Sequence, residues 1–125
     1  SPRISLNLNP GEFMQPQIVT PELIETLRTA YPNQSLFQLE TPEGDVFIVR
    51  GSSWDEFSRL GKAAKGNEQR LALDIVRTFV VHPALDAKDL EYNTSRTWEP
   101  GRIAALSEKI QEVLGYSKEI TVKKL

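Results

Sequence analysis

The chain has 125 residues, 39% hydrophobic and 26% charged, with 15 Lys and Arg against 17 Asp and Glu for a formal net charge of −2. That is the length and balance of one globular domain, without the basic excess of a general nucleic-acid binder. It contains no cysteine, which excludes a disulfide framework and a thiolate metal site.

No apolar run approaches the ~18 residues of a membrane helix. There is no signal-peptide pattern either, so the expected setting is a cytoplasm and no membrane partner is expected.

Residues 1–18 read as an extended arm. Pro2, Pro10, Gly11 and Pro16 interrupt it, and Ile4, Leu6 and Leu8 alternate with polar residues. Alternation of that kind suits an edge strand; a disordered or partner-docked arm fits the same composition. Thr20-Pro21-Glu22 is a helix start, with Thr as N-cap, Pro at the first helical position and an acid in the first turn. Leu23, Ile24, Leu27 and Tyr31 follow at helical spacing, so the first helix is expected over 21–31, ended by Pro32-Asn33.

The stretch from Leu36 to Leu60 organises the rest. Leu36, Phe37 and Leu39 form one short apolar run and Val46 to Val49 another. Between them Thr41-Pro42-Glu43-Gly44-Asp45 supplies a turn, with Pro presetting φ and Gly allowing positive φ. This is a β-hairpin with a longer loop. Ser53 and Glu56 then form a capping box that opens a helix over 54–64. Phe57, Leu60, Gly61 and Ala64 make one face of that helix, and Gly66 stands as its C′ residue.

Asn67 caps a third helix over 68–80. Leu71, Ala72, Ile75, Val76 and Phe79 form its stripe, widened by Leu73 and Val80, which makes it the central helix. Pro83 stops it through His82. Residues 84–99 are polar and acidic, unusually long for a loop in a compact domain, and so a candidate contact segment. Pro100 opens the last helix, where Ile103, Leu106, Ile110, Val113 and Leu114 make the apolar stripe. Gly115 is its C′ residue and Tyr116 the hydrophobic partner of a Schellman ending. Residues 117–125 are a short basic tail. The fold expected is α+β: a small β-hairpin or sheet packed against about four α-helices, a single domain over 19–116 with extended terminal arms.

Chemistry is sparse. His82 is the only histidine, and no Ser, Cys or acid stands at informative spacing from it. Asp86, Asp89 and Glu91 do not form a calcium loop. Gly61 and Gly66 do not form a phosphate loop. The residues therefore point to no catalytic group, no cofactor and no metal, and to a domain whose work is contact with other proteins. Trp54, at a helix start, reads as a core anchor. Trp98, in a polar loop, reads equally as a core or an interface anchor.

Several strings resemble the tail assembly chaperones of long-tailed bacteriophages. They are Val19-Thr20-Pro21-Glu22-Leu23-Ile24-Glu25-Thr26-Leu27-Arg28, then Val46-Phe47-Ile48-Val49-Arg50 running to Trp54-Asp55-Glu56-Phe57-Ser58-Arg59-Leu60. Ile75 to Pro83, Glu99 to Ile110 and the ending Leu114-Gly115-Tyr116 complete the set. The likeness spans about residues 19–116 and lies in order and spacing. It implies a protein of the infected host's cytoplasm that coats the tape measure protein, recruits tail tube subunits and self-associates. It carries over no catalytic residue. A chaperone of an apolar helical client offers exposed apolar surface, and the candidates are Trp98, Leu90, Leu85 and part of the 68–80 stripe. The other class compatible with these strings is a structural virion component, a small baseplate or hub subunit on the same fold.

Overall fold

Thr20 caps the first helix as its chemistry dictates, its hydroxyl accepting the Leu23 N–H at 3.1 Å. The computed structural model describes residues 19–83, 90, 96–116 and 122–125. Among these the elements run α1 (Pro21–Ala30), β1 (Leu36–Glu40), β2 (Val46–Arg50), α2 (Trp54–Ala64), α3 (Glu68–Phe79), β3 (Val80–His82), a 3-10 turn at Arg96–Trp98 and α4 (Pro100–Val113). The architecture is α+β: an antiparallel sheet of order β1-β2-β3 with helices packed on it. The arm at 1–18 and the first part of the tail, 117–121, lie outside the described residues, and 122–125 carry no regular structure.

The hairpin forms where the turn chemistry puts it. The Thr41 N–H donates to the Asp45 carbonyl and the Gly44 N–H to the Thr41 carbonyl, both at 2.9 Å, with Gly44 at φ +93°. Arg102 of α4 donates to the Asp45 carboxylate at 2.8 Å and also meets Glu43. The turn is thus tied to the start of α4.

Phe47 and Val49 of β2 face the main core, joined there by Ile75, Val76 and Phe79 of α3 and by Leu106 and Ile110 of α4. Phe37 and Leu39 of β1 flank them on the same side. The expected central helix is central: Ile75, Val76 and Phe79 have no exposure, and Leu71 is half-buried. Val46 and Ile48 alternate onto the other face and are also buried, outside that cluster, as is Leu27 of α1.

Two local expectations change. The third helix ends at Phe79, and Val80–His82 extends to pair with β2, so the hairpin becomes a three-stranded sheet. Two β-branched valines ahead of a proline favour extended backbone, and β2 offers an open edge to satisfy it. At the end of α2 the left-handed conformation begins one residue early, at Lys65 (φ +52°), and continues into Gly66 (φ +82°).

Candidate protein-contact surface

Four aromatic rings form a ladder from the core to the surface. Phe79, fully buried, lies parallel to Phe57 of α2, with centroids 6.2 Å apart. Phe57 stacks on Tyr116 at 4.3 Å, and Tyr116 stacks on Trp54 at 6.4 Å. The outer two rings are open to solvent, Trp54 at 77% and Tyr116 at 44% exposure.

Local sequence sets each rung. The Ser53 hydroxyl accepts the Glu56 N–H at 3.1 Å, which starts α2 at Trp54. At the other end, the Tyr116 N–H reaches the Gln111 carbonyl and the Gly115 N–H the Glu112 carbonyl, both at 3.0 Å, with Gly115 at φ +93°. That is the complete Schellman pattern. Its hydrophobic residue is spent on a neighbouring helix: Tyr116 covers Phe57. A recess of about 250 Å³ beside the pair is lined by Ser52, Trp54, Leu114, Gly115 and Tyr116.

An ion pair holds the base of the ladder. Arg50 grips Glu56 through two bonds of 2.8 and 2.6 Å, and its guanidinium lies 5.0 Å from the Phe79 ring centre. The Glu56 carboxylate is therefore committed to Arg50, with a further bond from the Ser52 hydroxyl at 3.2 Å. The expected capping box is present in its Ser53 half; the acid has gone to the stronger, charged donor. The hydrogen bonds from Arg50 hold the Glu56 carboxyl below its ordinary pKa.

Comparison with protein-family models, with curated proteins and with solved structures finds no match for this chain.

The residues expected at a partner surface are placed differently. Trp98 is 7% exposed and sits edge-on against Phe47, centroids 5.5 Å apart. Leu90 is 3% exposed in the same cluster. Both are core residues, a correction to the reading of them as contact anchors, and the reason is burial: the indole fills space beside β2 between α3 and α4. They also form the floor of a groove of about 380 Å³ with Leu73, Ile103 and Pro100 on its walls. Leu85 lies outside the described residues, as do Asp86, Asp89 and Glu91. Trp54, read as a core anchor, is the exposed tryptophan.

His82 is half-buried on β3, and among the described residues its Nε2 has no hydrogen-bond partner. Burial pushes its pKa down. Among the described residues no group of three or more His, Asp or Glu is placed to hold a metal ion, and no helix is long and apolar enough to cross a membrane. The Trp54–Tyr116 pair was missed because Trp54, at a helix start, reads as a core anchor and Tyr116 only as the hydrophobic partner of the Schellman ending.

Proposed function

We propose that this protein is a non-enzymatic assembly factor, a phage tail assembly chaperone that binds the tape measure protein and recruits tail tube subunits to it. The observation that carries the contact reading is the exposed Trp54–Tyr116 pair on its rigid backing. Tryptophan and tyrosine dominate interface hot spots, and rings already held in place lose little freedom on binding. With Leu114 beside them they suit the apolar face of a client helix. The sequence likeness over residues 19–116 supports the phage assignment, and the α+β order of elements is compatible with it.

The test is co-expression with the tape measure protein of the same phage, followed by purification and mass analysis by light scattering. A chaperone co-purifies in a defined complex, self-associates, and is absent from purified particles. Failure to bind, together with a fixed copy number in particles, overturns this reading in favour of a structural virion subunit.

A further inference from the structure

The sheet has one long open edge. In the β1–β2 ladder the Gly51 N–H donates to the Ser35 carbonyl and the Thr41 N–H to the Asp45 carbonyl. The register Leu36↔Arg50 through Glu40↔Val46 joins these two ends without a shift. Antiparallel pairs alternate between bonded and non-bonded partners, so Phe37 and Leu39 turn their backbone groups toward β2. Leu36, Gln38 and Glu40 turn theirs outward, and no described strand pairs with them. The edge carries no Pro or Lys and one acid, Glu40, so little guards it against pairing.

The side chains are open on the same side. Val49 and Phe47 have no exposure, yet their direct neighbours Phe37 and Leu39 on β1 are only half-buried. Leu39 also borders a recess of about 430 Å³, lined beside it by Ala105 and Leu106 of α4.

We propose that this edge is a two-fold interface, at which β1 of a second copy pairs antiparallel with β1, Gln38 opposite Gln38. The edge is self-complementary in that register. All three outward residues of each copy then fall in bonded pairs, Gln38 with Gln38 and Leu36 with Glu40 on either side. Any other centre on β1 joins fewer of them, and one at Glu40 sets two acids directly opposite each other, which is destabilising. Here each Glu40 faces a leucine instead. Phe37 of one copy falls opposite Leu39 of the other, in the closer non-bonded pairs. That places the ring beside the recess and supplies the apolar cover that both half-buried residues lack. A two-fold perpendicular to the sheet also keeps the core faces of the two copies on one side. The joined sheet has six strands, and its outer edges are the three-residue β3 strands, so pairing closes at two copies. The inference gives the self-association of the proposed function a surface, but it rests on the edge geometry alone.

The experiment uses the full chain by itself: sedimentation analysis over a dilution series, with residue-resolved amide hydrogen exchange at both ends of the series. Gln38 is exposed, so its substitutions spare the core. Wild type should dimerise, with slow exchange at Leu36, Gln38 and Glu40 that is lost on dilution, while Phe37 and Leu39 stay protected by β2. Gln38→Pro removes both central ladder donors, one from each copy, and should abolish the dimer. Gln38→Glu and Gln38→Lys each set like charges across the two-fold and should weaken self-association about fivefold. An equimolar mixture of these two variants should associate at least as tightly as wild type. Wild type that stays monomeric at every concentration overturns the proposal, as does protection that persists in the dilute monomer, which would mean one chain covers its own edge. So do charge variants that dimerise as tightly alone as when mixed. A monomer that still binds the tape measure protein refutes this interface and leaves the Trp54–Tyr116 contact standing.

Discussion

The two tryptophans should respond to alanine in opposite ways. Trp98 is 7% exposed and packed edge-on against Phe47, itself without exposure. Removing the indole deletes its buried area and leaves a hole between β2, α3 and α4. Large aromatic-to-alanine changes in cores cost about 3–5 kcal/mol, cavity included, a large part of the 5–15 kcal/mol that holds a typical domain together. With a urea m-value of about 2 kcal/mol/M, the midpoint for Trp98→Ala should fall by roughly 2 M at unchanged m. Trp54, at 77% exposure, loses only an exposed stacking contact, so Trp54→Ala should cost about 1 kcal/mol or less. The assay is urea denaturation of both variants and wild type, followed by circular dichroism. Equal midpoints for the two variants, or a Trp98→Ala protein as stable as wild type, would refute the placement of Trp98 in the core.

Ser53→Ala should cost about 0.5–2 kcal/mol through loss of the cap on α2, read as a lowered melting temperature; an unchanged melt means the helix is started by something else. Arg102→Met leaves the Asp45 carboxylate, 3% exposed, without its cation, and breaking such a pair from one side costs about 3–5 kcal/mol. Adding Asp45→Asn should recover much of that loss in the same denaturation assay, and no recovery would mean Arg102 acts by packing alone. The Arg50–Glu56 pair predicts a pH dependence. The folded-state pKa of Glu56 is depressed below its ordinary 4.5, so its stabilisation is fully present above pH 4.5 and is lost as pH falls through the folded value. Wild type should therefore lose its advantage over Glu56→Gln in acid, and a constant gap between the two across that range would contradict the pairing.

Much of the fold was legible because its signals are local. Thr20, Ser53 and Asn67 each accept an N–H three residues on, and the Thr41–Asp45 turn and the Gly115 ending form as their residue types require. What was not legible depends on which surfaces meet. Val80 and Val81 continue the apolar stripe of α3, and only the free edge of β2 shows that they extend instead. Glu56 stands at capping-box spacing, but nothing local announces that Arg50 will claim it. Trp98 lies in a polar stretch that leaves core and interface equally open, and the space beside Phe47 that buries it is made by distant elements. Trp54 is the converse: its place at a helix start reads as core, and no distant element comes close enough among the described residues to bury it. The sequence thus misjudged which of the two tryptophans is buried.

The central claim is that contact runs through the Trp54–Tyr116 pair. Its most direct test is the affinity of wild type, Trp54→Ala and Tyr116→Ala for the tape measure protein, measured by calorimetry with circular dichroism as the folding control. The account predicts that Trp54→Ala stays folded and weakens binding by about 2 kcal/mol or more, the scale of a hot spot, with Tyr116→Ala affected in the same direction. Folded variants that bind as tightly as wild type would contradict it.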